Sequence, residues 1–390
     1  MPLRYLTAGE SHGPALTAIL EGMPAGLPLD EETLASDLAR RQTGSGTGER
    51  MAIEKDRAQI LSGVMEGVTT GAPIAVLLPN RDHVNWKGHD VPAYTTPRPG
   101  HADLAAVTKY GYDDIRPSLE RASARETAMR VAVGSICRSF LARFNITIDG
   151  YVMAIGEHAA SLVGLSFDER IKRARASSVQ CPDSETDAQI NAAIEKARTA
   201  GETLGGVIEV VAQGLPIGLG SHVNWDRRLD ARLTQAVCGV PAIKGVVFGD
   251  AFTNTQQPGT HANDGIITDA KGVLKRQSNA CGGIEGGISN GEPIWVRMAM
   301  KPIPTTRKGQ PTVDLATGKS SLTYYERSDV CPVPRAVPVL ESVIAIVIAD
   351  ALIEKLGGDS LDEMQSRFAT LRKATLSELH MSGTPHQFWP

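Results

Sequence analysis

The hydrophobic pattern changes period several times along the chain. Short apolar runs at 16–20, 58–62, 74–78, 207–212 and 246–248 predict strands. Residues 294–300 alternate, with Ile294, Val296, Met298 and Met300 on one face of a further strand. Helical spacing governs other stretches. Asp30 fits an N-cap, opening a helix to Arg41 with Leu34 and Leu38 four residues apart. Met129, Val133, Ile136, Phe140 and Phe144 recur at helical intervals and predict one long helix over Ser118–Phe144, with Gly134 as its weak point. Ser166–Glu169 and Ser360–Glu363 match the capping box, predicting helices over about 167–177 and 361–380. Gly201 ends a helix begun near 186. Pro338 starts a helix that Gly357 and Gly358 stop.

Strands and helices do not alternate in a regular βαβ rhythm, which favours a layered α+β fold over a doubly wound sheet. Gly-rich and charged loops are spread over the whole chain, without a tandem repeat or low-complexity linker. This predicts one intertwined domain over residues 1–390, with a flexible tail at about 381–390. Asn80–His101 reads as a loop of functional length, punctuated by Gly88, Pro92, Pro97, Pro99 and Gly100.

Composition narrows the function. The formal net charge of −4 argues against a general nucleic-acid binder. The cations are 27 Arg and 13 Lys, a bias toward the rigid fork that grips phosphate and carboxylate at two points. Five cysteines, widely spaced and without a CxxC, predict reduced thiols in a cytoplasmic protein with neither a disulfide framework nor a structural metal site. The N-terminus has no signal-peptide pattern. The most apolar stretch, Val337–Ile353, contains Glu341 and Asp350 and reads as a buried helix, not a membrane span. Gly318-Lys319-Ser320 resembles the end of a phosphate-binding P-loop, but Val313 stands where its first glycine belongs.

Four segments place reactive polar residues beside small ones: Gly9-Glu10-Ser11-His12-Gly13, Arg98-Pro99-Gly100-His101-Ala102-Asp103, Glu120-Arg121-Ala122-Ser123-Ala124-Arg125-Glu126-Thr127, and Glu326-Arg327-Ser328-Asp329-Val330-Cys331-Pro332. A histidine can donate a proton to a leaving oxygen near neutral pH. Arginines at the start of a helix oppose its dipole, a placement that makes sense if an anion binds there. By themselves the residues point to an enzyme acting on a phosphorylated, carboxylated metabolite.

These segments, in this order, resemble the signature blocks of the chorismate synthase family. Leu61–Gly71, Ala242–Asp250, Gly282–Ile294 and Met298–Thr305 are similar to it as well, and the resemblance spans roughly residues 1–380. It implies a β-α-β sandwich, with helical layers flanked by antiparallel sheets, assembled as a homotetramer. It also implies a carbon–oxygen lyase of aromatic amino-acid biosynthesis. The reaction is the 1,4-anti elimination of phosphate from 5-enolpyruvylshikimate 3-phosphate to give chorismate, with reduced FMN and no net redox change. By the same resemblance His12 protonates the departing phosphate, His101 serves the reduced flavin, and Asp329 helps collect the substrate proton. Arg121, Ala122, Ser123, Ala242, Gly286, Lys301, Pro302, Ile303, Pro304, Thr305 and Arg327 correspond to flavin-binding positions. Arg40 corresponds to a position for NADP or substrate phosphate, and Arg41, Arg50 and Arg125 join it as candidates.

The sequence departs from the family pattern in places. Thr47 stands where an arginine is usual, so Arg50 is the candidate replacement. Ala122 and Pro241 also differ from the usual residues. No added nicotinamide module is evident, which predicts an external source of reduced flavin. The rival readings are a non-catalytic flavin-binding protein on the same fold and a phospho-elimination lyase without flavin. Flavin binding without turnover marks the first; full activity after flavin removal marks the second.

Overall fold

The computed structural model describes residues 2–47, 55–326 and 328–389. Two antiparallel sheets enclose a helical interior. The first joins β1 (Arg4–Ala8), β2 (Ala15–Glu21), β3 (Gln59–Ile60) and β4 (Ile74–Pro79) in the order β1-β2-β4-β3. Leu16, Ala18, Leu20, Ile74, Val76 and Leu78 are buried on its inner face, as period-two alternation dictates. The second joins β5 (Thr147–Ile155), β6 (His158–Ala159), β7 (Gly206–Gln213), β8 (Ile243–Phe248) and β9 (Ile294–Met300) in the order β8-β9-β7-β5-β6. Its inner face carries Ile148, Val152, Ile208, Val210, Val296 and Met298, all buried.

Helices α1 (Glu31–Gln42), α2 (Asp103–Tyr110), α3 (Arg116–Ala122), α4 (Thr127–Ala142), α5 (Phe167–Ala176), α6 (Ser184–Ala200), α7 (Leu229–Cys238), α8 (Val333–Leu356) and α9 (Leu361–Ala369) complete the main framework. Helix α4 packs on the first sheet and on α1, and α8 packs on β5, β7 and α7. The two central helices also pack on each other. Layering the sheets outside the helices buries both apolar sheet faces in one continuous core. The α+β sandwich expected from the sequence is therefore observed, although strand 58–62 shrinks to its pairing core, Gln59–Ile60.

Three helix boundaries differ from the sequence reading. The long helix over 118–144 is broken. Ser123 turns extended (φ −62°, ψ 140°), and its Oγ accepts the Arg125 N–H at 3.3 Å to start a short 3₁₀ turn before α4. A serine side chain that competes for backbone donors gives no signal in hydrophobic periodicity. Helix α8 begins at Val333, five residues before Pro338. Pro338 cannot donate to the Pro334 carbonyl, and Gln180 Nε2 donates to that oxygen instead, at 2.6 Å. Helix α9 stops at Ala369, because the following chain pairs with 272–274: Leu274 N–H donates to Ala374 O and Leu376 N–H to Gly272 O. The predicted caps at Asp30 and Ser166 and the Gly201 stop are present, Ser166 in a complete capping box.

Helix α8 is long and apolar enough to cross a membrane, but 89% of its most apolar window is buried inside this fold. Its Glu341 is fully buried and accepts from Arg40 Nη1 (2.7 Å), Arg138 Nη1 (3.3 Å) and the Gly150 N–H (2.9 Å).

Gly134 marks the closest approach of the two central helices. A Cβ added there would lie 2.2 Å from Ser342 Cβ. Gly134→Ala is therefore expected to destabilise the protein by about 2 kcal/mol or more in chemical denaturation. Unchanged stability would show that the α4–α8 contact is looser than described.

Candidate active site

The ends of several elements converge on one cavity of about 810 Å³. Its first wall is the link between β1 and β2. His12 Nδ1 lies 2.6 Å from Glu120 Oε1, and the His12 backbone N–H donates to Glu120 Oε2 at 2.7 Å. The Trp86 ring stands 4.1 Å from the imidazole, tilted by 40°. The His83 ring donates to the His12 carbonyl at 2.9 Å. Burial alone would raise the Glu120 pKa, but hydrogen bonds from the His12 ring and backbone outweigh it and hold the carboxyl below its usual range.

The second wall is the Arg98–His101 turn. His101 Nδ1 is hydrogen-bonded to Asp103 Oδ1, and Asp103 is completely buried. Arg98 donates to the same carboxylate through Nε at 2.8 Å and through its backbone N–H at 3.0 Å. Desolvation opposes the Asp103 charge, yet the His101 and Arg98 hydrogen bonds win and push its pKa well below the carboxylate range. Arg98 Nη1 also reaches Thr305 Oγ1 (3.2 Å), and Lys301 Nζ reaches the Gly100 carbonyl (2.8 Å). Segment 301–305 is thereby tied to this turn. Burial, then repulsion from Lys244, lowers the Lys301 pKa.

Three arginines form a third, cationic wall. Arg125 Nη1 donates to both Asp56 carboxylate oxygens (2.7 and 2.8 Å), and its Nε to Asn80 Oδ1 (2.9 Å). Arg335 binds Asp329 Oδ2 through Nη1 and the Arg41 carbonyl through Nε (2.9 Å). Arg41 is 3% exposed and donates to Thr127 Oγ1 (3.0 Å) and the Ala124 carbonyl (2.8 Å). Its Nη1 makes no hydrogen bond among the described residues and stands 3.8 Å from Asp56. Burial, followed by repulsion from Arg335 and Arg125, pushes the Arg41 pKa down to about 9. A wall lined by Arg41, Arg125 and Arg335 suits an anionic ligand.

The cavity brings together His12, His101, Asp329, Arg41, Arg121, Ala122, Ser123, Arg125, Ala242, Lys301, Ile303, Pro304 and Thr305. Pro302 lies between two of its lining residues. Ala242 holds a left-handed backbone (φ 69°), a strained geometry that concentrates at functional sites. Arg50 and Arg327 lie outside the described residues.

Two expected positions lie elsewhere. Arg40 is engaged by Glu341 through both guanidinium nitrogens, at 2.7 and 2.9 Å, while the next residue lines the cavity. Gly286 occupies the turn between short strands Ile284–Glu285 and Ile288–Ser289 and is not among the residues that line the cavity. Sequence reasoning missed Trp86, Asp56, Asn80 and Arg335. An aromatic residue in a Gly- and Pro-rich loop was a signal for Trp86, and Arg335 follows closely on the segment that carries Asp329. Asp56 and Asn80 carried no local signal, since their role exists only through Arg125.

A family model described as chorismate synthase matches residues 3–353. This chain belongs to the chorismate synthase family. A chorismate synthase from Geobacter metallireducens is 51% identical over 382 residues, covering 94% of this chain and 97% of the relative. One from Desulforamulus reducens is 50% identical over 375 residues, with the same coverage. A solved chorismate synthase structure has 43% identity and a TM-score of 0.78, covering 95% of this chain and 97% of that one. The sandwich and its cavity thus sit on a known chorismate synthase framework.

The Asp103 linkage gives a pH prediction. Its native pKa lies below the unfolded value of about 3.9, so its stabilisation is whole above that pH and is lost as pH falls through the native titration. Asp103→Asn leaves the buried Arg98 charge uncompensated and is expected to cost about 3–5 kcal/mol at pH 7. In denaturation curves the deficit should shrink steadily below pH 4. A deficit independent of pH would overturn this account.

Proposed function

We propose that this chain is a chorismate synthase in activity: it eliminates phosphate from 5-enolpyruvylshikimate 3-phosphate to form chorismate, with reduced FMN as cofactor. The observation that carries this reading is the convergence of two carboxylate-backed histidines and Asp329 on one cation-lined cavity. The residues present fit a flavin and a phosphorylated substrate. The volume lies within the roughly 300–1,000 Å³ of small-molecule sites. Arg41, Arg125 and Arg335 supply positive charge for an anion, and the small Ala122 and Ser123 let a planar ligand approach the backbone. Arg121, Ala122, Ser123, Ala242 and Lys301 through Thr305 would hold the flavin.

His12 donates its proton to the phosphate oxygen as the carbon–oxygen bond breaks, and the phosphate leaves with the bonding pair. Arg41 and Arg125 hold the anionic groups of the substrate. Asp329, fixed by Arg335, is the carboxylate on the side that takes up the ring proton. His101, fixed by Asp103 and Arg98, would serve the flavin from the cavity wall. When bound, reduced FMN supplies electron density to the allylic system and recovers it, so no oxidation state changes overall. The enzyme works in the cytoplasm as a homotetramer, with its reduced flavin made elsewhere.

Anaerobic incubation of the pure protein with substrate and photoreduced FMN should produce chorismate, read by its absorbance. Absence of product under these conditions rejects the reading. His12→Ala and His101→Ala should each lower kcat by about 10²–10⁴-fold while FMN still binds. Wild-type turnover in both would mean the acids are misplaced. NADPH oxidation by the pure protein with FMN would show that it reduces its own flavin.

A further inference from the structure

Helix α3 ends within a turn of Glu120, so this carboxylate lies at the end of a helix where negative charge is disfavoured. Helix stability gives no reason for it. The side chain turns instead to the link between β1 and β2. One oxygen meets His12 Nδ1 at 2.6 Å and the other accepts the His12 backbone N–H at 2.7 Å. Both oxygens thus hold the same residue, fixing the ring and the main chain that carries it. The side chains are 12% and 16% exposed, dry enough for the contact to persist. The Glu120 main chain adds a third tie, its carbonyl accepting the Ser11 N–H at 3.3 Å. The Trp86 ring lies against one side of the imidazole.

We infer that Glu120 is the positioning residue of His12: its carboxylate keeps the proton on Nδ1 and reserves Nε2 for the leaving group. This rests on the elimination chemistry proposed above and names a residue that chemistry did not use. A carboxylate accepts only, so Nδ1 must be the donor. In the charged ring Nε2 carries the second proton, the one given to the phosphate oxygen. Once it is given, the ring is neutral with its proton on Nδ1 and a lone pair on Nε2, ready to be recharged by solvent. Without Glu120 the neutral ring reverts to the Nε2–H form that free imidazole side chains prefer, and the ring turns. An orienting carboxylate of this kind acts through the histidine and touches no reacting atom.

The test combines a spectrum with kinetics. Nitrogen-15 histidine spectra of the protein without ligands, at a pH where the ring is neutral, report the tautomer. His12→Gln identifies the signal. Wild type should show Nδ1–H, and Glu120→Ala should shift most of the population to Nε2–H. Glu120→Asp and Glu120→Gln, which keep an acceptor, should restore part of the Nδ1–H form. In the anaerobic assay Glu120→Ala should lose about 10²-fold in kcat with KM within threefold, and Glu120→Asp should recover at least tenfold of that loss. Circular dichroism and melting curves identify any variant that fails to fold, and Glu120→Gln then carries the test. An Nε2–H wild type, an unchanged tautomer in Glu120→Ala, or wild-type kcat in that variant overturns the inference. A wild-type protein that makes no chorismate refutes the function instead, and leaves the tautomer result standing.

Discussion

The arrangement depends on concentrating positive charge in a dry place. Arg41, Arg125 and Arg335 come from three different elements: the last turn of α1, the turn that precedes α4, and the first turn of α8. These helices pack on one another in the core, so their ends meet, and the three guanidinium groups meet with them. Asp56 and Asp329 offset part of that charge. Arg125 and Arg335 stand where the helix dipole is already positive, which adds to the cost. A core rigid enough to hold like charges together produces a site whose electrostatics are completed by an anion.

Much of this was legible in the primary structure. The alternation in β2, β4 and β9 and the caps at Asp30, Ser166 and Gly201 are local properties, and local chemistry determines them. The blocks around His12, His101, Ser123 and Asp329 were legible because each pairs a reactive group with small neighbours. Convergence of the blocks was not local, and it followed only from resemblance to a family. What stayed hidden was set by distant partners. The Ser123 break depends on a hydroxyl competing for a backbone donor. The early start of α8 depends on Gln180, a residue more than 150 positions away, satisfying a carbonyl that Pro338 cannot.

Arg40 and Arg41 show how finely a helix divides its roles. Successive positions are turned by about 100°. One side chain therefore enters a buried network with Glu341, Arg138 and Asp37, and the other faces the cavity. Both look alike in a sequence, and only the direction of each side chain from the axis assigns them. Glu341 also receives the Gly150 N–H, so the same carboxylate links α1, α4, α8 and the second sheet. The first arginine belongs to the scaffold and the second to the cavity wall.

Helix α8 carries a consequence for how the protein is made. It is the most apolar segment, and it covers itself with strands that precede it, the last of them ending at Gln213. During synthesis both sheets leave the ribosome before this helix does. The greasiest element therefore emerges into a shell already waiting to receive it, which shortens the interval in which it can engage a bilayer or another nascent chain.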